Sequence, residues 1–214
     1  MPCAFSSKRY FLFDLDGTLV NSVPAHERSF IETLKVRHPK LAENFDYTTF
    51  AGRPTREVFL ALGFNDEREL NELTAHKQQL YREAIERGDV TVFAGAKSLL
   101  AQLRKSEHRL FLVTGASRIS THRVLEVTGL ADYFEGVTAA EDAHPGKPSP
   151  EPYLYTLATH SLSAQDSLVI EDAESGVRSA QSAGLDVVLI HSKFQLPGVI
   201  NVDSCENLAT LLLS

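Results

Sequence analysis

Short apolar runs that end abruptly in polar residues, separated by helical patterns, limit what this chain can fold into. Tyr10–Phe13, Arg109–Val113 (RLFLV), Ser167–Ile170 (SLVI) and Val187–Ile190 (VVLI) have the length and near-unbroken apolarity of strands buried on both faces. Between them, helical periodicity predicts helices over Ala96–Ser106, Ser117–Val127, Pro150–His160 and Glu174–Ala183, with Gly129 and Gly184 where helix C-termini favour glycine. Alternation of this kind specifies an α/β fold: a doubly wound parallel sheet with a Rossmann-like core, whose ligands bind beyond the carboxyl ends of the strands.

The stretch from about residue 20 to residue 90 breaks the alternation. It holds helical patterns near Pro24–Arg37, Thr55–Leu62 and Glu67–Arg87, without a convincing buried strand. Pro39 and the Gly52-Arg53-Pro54 turn separate these helices, and Gly88-Asp89 and Gly95 mark the return to the sheet. The reading is a core of residues 1–19 and 91–214 carrying an α-helical cap of residues 20–90, which suits a 214-residue chain better than two full domains.

A formal charge of −7, with no Lys/Arg run longer than two residues, offers no surface for a nucleic-acid backbone. No apolar stretch is long enough for a membrane span, and the N-terminus does not read as a signal peptide, so a cytoplasmic location is expected. Cys3 and Cys205 are expected to be free thiols, and the chain a monomer. An acidic protein that handles an anion needs local cations, a metal ion among them, to overcome its own field.

The chemistry-bearing residues fall just after the predicted strands. Tyr10–Phe13 runs into Asp14-Leu15-Asp16-Gly17-Thr18, where two carboxylates two residues apart share a face if the backbone stays extended. A Ca²⁺ loop also begins with this spacing, but its fifth, sixth and twelfth positions are here Thr18, Leu19 and Ala25, which do not supply the ligands or the glycine it needs. Val113 leads into Thr114-Gly115-Ala116-Ser117 and Ile170 into Glu171-Asp172, while Lys147 lies in the constrained loop His144-Pro145-Gly146-Lys147-Pro148. Singly, Thr114 reads as a helix cap, Lys147 as a solvated loop charge, and Glu171-Asp172 as a helix-start acidic pair.

Together, in the order carboxylate pair, hydroxyl, lysine, acidic pair, they resemble the four motifs of the haloacid dehalogenase superfamily. The helical insertion is similar to the small cap of its β-phosphoglucomutase-like and sugar-phosphate phosphatase subfamily. The resemblance implies that Asp14 is a nucleophile that carries an aspartyl-phosphate, and that Asp16 protonates the leaving oxygen and then activates water. It implies Mg²⁺ as cofactor, ligated by the side chains of Asp14 and Asp172 and the backbone carbonyl of Asp16, with Glu171 a further ligand, direct or through water. Thr114 and Gly115 would contact the phosphoryl group, and Lys147 would neutralise it while pairing with Asp14. His26, Arg53, Arg56 and Lys77 are the cap residues expected to face the substrate, a small phosphorylated metabolite of the sugar or polyol kind.

Competing activities separate on a few residues. Asp16 argues against a dehalogenase, which lacks the second aspartate. Gly17-Thr18 resembles the phosphatase form of the first motif, where β-phosphoglucomutases usually carry valine; a mutase, and beyond it a pyrophosphatase, are the alternatives. A phosphonatase would need Lys77 as its amine, and the sequence near Lys77 suggests no apolar pocket. A phospho-accepting receiver module, the non-enzymatic alternative, has no cap and carries its acceptor mid-chain.

Overall fold

In the computed structural model, residues 5, 7–50 and 52–213 are described, so Cys3 lies outside the described residues. The central strand is β1 (Tyr10–Phe13). Two two-residue strands, β2 (Val20–Asn21) and β3 (Thr91–Val92), pair antiparallel with Val20 opposite Val92. The main sheet is completed by β4 (Arg109–Val113), β5 (Gly136–Thr138), β6 (Ser167–Glu171), β7 (Asp186–Ile190) and β8 (Ile200–Val202). Its six strands are all parallel, in the order β5-β4-β1-β6-β7-β8. The doubly wound sheet expected from the sequence is therefore present.

Side chains alternate across this sheet. Phe11 and Phe13 join Leu110, Leu112 and Leu168 on one face, while Leu12 joins Phe111 and Val169 on the other. Registering Phe13 with Leu112 and with Ile170 sets the ends of β1, β4 and β6 side by side, which gathers the residues that follow them.

The helices are α1 (Val23–Lys35), α2 (Pro39–Glu43), α3 (Thr55–Ala61), α4 (Glu67–Glu86), α5 (Ala96–Lys105), α6 (Arg118–Thr128), α7 (Glu151–His160), α8 (Glu174–Ser182) and α9 (Cys205–Leu213). The first four lie between β2 and β3, and their inner faces form a separate apolar cluster around Phe30, Leu34, Phe45, Phe59 and Leu70. The last turns of α4 instead join the main core through Tyr81, Ala84 and Ile85. Arg123 on α6 pairs there with Glu86. The expected helices are present with ends shifted by a residue or two. The stretch read as holding no convincing buried strand opens with β2, two residues of which Val20 is buried and Asn21 exposed, and its partner lies at residues 91–92. Among the described residues, no helix is long and apolar enough to cross a membrane.

Candidate active site

Asp14 extends the line of β1, its amide still bonded to Ile170 O at 3.0 Å. Its carboxylate accepts from Lys147 Nζ at 2.7 Å. The same ammonium donates to Val113 O at 2.8 Å and to Glu171 Oε1 at 2.5 Å, so each of its three hydrogens has an acceptor. Tyr153 OH donates to Glu171 Oε1 at 2.8 Å. Lys147 is buried, which by itself disfavours its charge, but Asp14 and Glu171 outweigh burial and hold its pKa well above the usual lysine value.

Asp14, Glu171 and Asp172 each present a carboxylate oxygen within 4.8 Å of the others. Burial pushes the Asp14 carboxyl up to about 8; Lys147 opposes the shift and the Glu171 charge adds to it. Asp172 is raised well above the usual carboxylate range, first by burial and then by Asp14 and Glu171. Crowded, oxygen-only donors with one ammonium between them fit a hard divalent cation, whose charge would let all three ionise together. Glycines make room for this cluster. At Gly17, φ is +92° and an added Cβ would fall 2.1 Å from Asp172 Oδ2; at Gly176 it would fall 1.9 Å from the Glu171 carboxyl carbon. Thr18 Oγ1 donates to Asp172 Oδ1 at 3.3 Å.

Asp16 faces other partners. Its carboxylate lies outside the three-carboxylate cluster and turns to the inserted helices, accepting from Tyr81 OH at 3.2 Å, with His26 Nε2 3.6 Å away. Burial would raise its pKa, but His26, then Ser22 and Tyr81, hold it below the usual value. The side chains of Asp14, Asp16 and Asp172 therefore do not converge on one point.

His26 is stacked 3.9 Å from Tyr81 and 5.4 Å from Tyr47, ring centroid to centroid. Burial, with Lys77 adding, lowers it to about 4, so the ring is neutral near pH 7. Lys77 Nζ lies 2.7 Å from His26 Nδ1. When the ammonium donates there, the ring proton sits on Nε2, toward Asp16. Lys77 is 2% exposed, and its Nζ lies 4.6 Å from the Phe30 ring centroid and 4.8 Å from that of Tyr81. The expectation that no apolar pocket surrounds Lys77 is thus wrong: α1 supplies one face of it and α4 the other. Burial lowers this amine to about 7.

The remaining residues named from sequence divide. Thr114 is buried, and its Oγ1 accepts from the Ala116 amide at 3.1 Å, leaving the hydroxyl hydrogen free to donate. Thr114, Gly115, Arg53 and Arg56 line the same cavity of about 260 Å³ as Asp14, Asp16, His26, Lys77 and Lys147. Arg56, however, is held within the inserted helices by both oxygens of Glu67, at 2.7 and 2.8 Å, and by Asn71 Oδ1 at 3.0 Å. Arg53 is exposed at the rim, and its guanidinium has no hydrogen bond or ion pair among the described residues. Sequence reasoning missed Tyr81 and Tyr153. Tyr81 could have been found, because it lies four residues after Lys77 and shares its helix face; for Tyr153 no sequence signal stands out.

The family model for haloacid dehalogenase-like hydrolases matches residues 11–190. The chain is 32% identical over 193 residues to hexitol phosphatase A of Escherichia coli (strain K12), a match covering 90% of this chain and 88% of that one. It is 29% identical over 193 residues to protein CbbY of Rhodobacter capsulatus, covering 86% and 85%. In three dimensions it resembles a variant of CbbY from Rhodobacter sphaeroides crystallised with xylulose-1,5-bisphosphate, with a TM-score of 0.81 at 20% identity over 96% of this chain and all of that one, a likeness of fold. The strand-end carboxylates, the shared lysine and the helical insertion thus stand in the framework of the family to which this chain belongs, the haloacid dehalogenase-like hydrolases.

Proposed function

We propose that the chain is a Mg²⁺-dependent phosphatase that hydrolyses small phosphate monoesters of sugars or polyols through an aspartyl-phosphate at Asp14. The observation that carries this reading is the opposed placement of two neighbouring carboxylates. Asp14 is tied to Lys147 on the core side, and Asp16 to Tyr81, with His26 nearby, on the cap side. One is positioned to attack phosphorus and the other to serve the leaving oxygen. The relationship to hexitol phosphatase A supports a polyol or sugar leaving group.

Asp14, Asp172 and the Asp16 backbone would hold Mg²⁺, with Glu171 bound to Lys147 behind them. When bound, the cation supplies charge that keeps Asp14 ionised and offsets the phosphoryl oxygens. Lys147 holds the Asp14 carboxylate in line for attack, and Thr114 donates its free hydroxyl hydrogen to a phosphoryl oxygen. Approach of the anionic substrate raises the Asp16 pKa by like-charge repulsion, so that it arrives protonated for the leaving group and then takes a proton from water. The neutral His26 ring, propped by Lys77, orients that carboxyl. Residues 20–90 act as the cap over these steps, hinged at β2 and β3, and exclude bulk water.

Phosphate release from a panel of esters with Mg²⁺ tests the reading. Hydrolysis of sugar or polyol monophosphates supports it, whereas isomerisation of a hexose phosphate without phosphate release identifies a mutase. EDTA should abolish turnover and lower the melting temperature, with both restored by Mg²⁺. An unchanged melt and undiminished activity after chelation would contradict the metal assignment. Arg53→Ala should lower kcat/KM for the preferred polyol phosphate about tenfold, and p-nitrophenyl phosphate less, because the rim guanidinium would meet the leaving group. Equal losses would place Arg53 in general phosphate binding instead.

A further inference from the structure

Two hydroxyl groups on the cap side of the cavity depart from their usual local hydrogen bonds. Ser22 occupies the N-cap of α1, where a serine side chain ordinarily accepts from first-turn amides, yet it makes no capping hydrogen bond. Its hydroxyl lies instead against Asp16 and Tyr81, whereas Oγ1 of Thr74 on α4 is buried without a partner. A threonine inside a helix usually satisfies its hydroxyl on the carbonyl four residues back. Thr33, Thr121, Thr128 and Thr156 all do so in this chain, at 2.8, 2.9, 2.5 and 2.8 Å. Thr74 does not.

Leaving a buried hydroxyl unpaired is costly, so an orphan of this kind calls for an explanation. Thr74 lines the same cavity as Asp14 and Asp16, as do Ser22, Lys77 and Gln78. Ser192 Oγ and Asn201 Oδ1, also buried without partners among the described residues, belong to residues outside it. Thr74 and Gln78 flank Lys77 along α4, so the cap wall offers neutral oxygen and amide groups around one ammonium that is already hydrogen-bonded to His26. Arg56 is paired to Glu67 and Arg53 stands at the exposed rim, so around Thr74 the wall is neutral apart from the Lys77 ammonium. It has what a row of hydroxyls needs.

We propose that Thr74, with Gln78 beside it, forms the wall that reads the hydroxyl groups of the leaving part of the substrate and so favours polyhydroxylated monophosphates. The proposal rests on the phosphatase reading for its orientation, with phosphate toward Asp14 and hydroxyls toward the cap. Thr74→Val removes the hydroxyl at nearly constant volume, and Thr74→Ser keeps it. Calorimetric titration in Mg²⁺ would use Asp14→Asn protein, alone and combined with each Thr74 substitution, against sorbitol 6-phosphate and inorganic phosphate. Thr74→Val should weaken sorbitol 6-phosphate about tenfold and inorganic phosphate less than about twofold, with Thr74→Ser restoring most of the affinity. Equal weakening of both ligands, weakening of neither, or no rescue by serine would overturn the proposal. Because the readout is binding, its failure is distinct from failure of the phosphatase reading, which would appear as no phosphate release from any ester by the unsubstituted protein.

Discussion

Asp14→Asn is expected to lower kcat for any phosphate ester by about four orders of magnitude or more, since an amide oxygen does not form the covalent intermediate. The substitution is nearly isosteric and preserves an oxygen for Lys147, whose Nζ lies 2.7 Å from Asp14 Oδ1. It also removes a charge that contributes to the raised pKa of Asp172. The metal-free variant should therefore melt no lower than the unsubstituted protein, which separates lost chemistry from lost folding. Steady-state phosphate release and a thermal melt give both quantities. Residual turnover within about a hundredfold of normal would remove Asp14 from the covalent role.

Lys147→Met should produce the largest loss of stability among single substitutions at the site. The ammonium is buried and bonded to Asp14, Val113 O and Glu171. Without it, the Glu171 side chain, 1% exposed, keeps only the Tyr153 hydroxyl as a hydrogen-bond partner among the described residues. Breaking a buried pair from one side costs about 3–5 kcal/mol, because the remaining charge is left uncompensated. In a chain of this length that corresponds to a fall in melting temperature of roughly 6–20 °C. Turnover should fall as well, since Asp14 loses the group that orients it. A variant melting within about 2 °C of the unsubstituted protein would show that this lysine does not hold the carboxylates together.

The parts of this fold that were legible in the sequence are those with strong local signals. Strands β1, β4, β6 and β7 are buried and read as apolar runs, and the residues beyond three of them, Asp14, Thr114 and Asp172, fall at the site. Strands β5 and β8 were not read. Each is three residues long and partly exposed, with Gly136 opening one and Ile200, 40% exposed, opening the other, so neither forms an apolar run. Helix α9 was also passed over, although Leu208 and Leu212 carry helical spacing.

On the cap side, sequence could name His26 and Lys77 but not their contact, which depends on how α1 crosses α4. Nor could it show that Lys77 sits against Phe30, because an amphipathic pattern gives the buried face of a helix without saying what that face meets. Thr74 illustrates the limit most sharply: its residue type suggested nothing until the partner expected within its own helix proved to be missing.

The central claim is a phosphoryl group carried by Asp14 and released with the help of Asp16, and a stalled intermediate tests it most directly. With p-nitrophenyl phosphate the leaving group departs without protonation, so Asp16→Asn should still be phosphorylated but fail to activate water. Mixed rapidly with this ester and Mg²⁺, the Asp16→Asn protein should release one equivalent of nitrophenolate per chain in a burst. Mass spectrometry after acid quench should then find one added phosphoryl group on the peptide containing Asp14. Steady release without a burst, or a phosphoryl group on any other residue, would contradict the account.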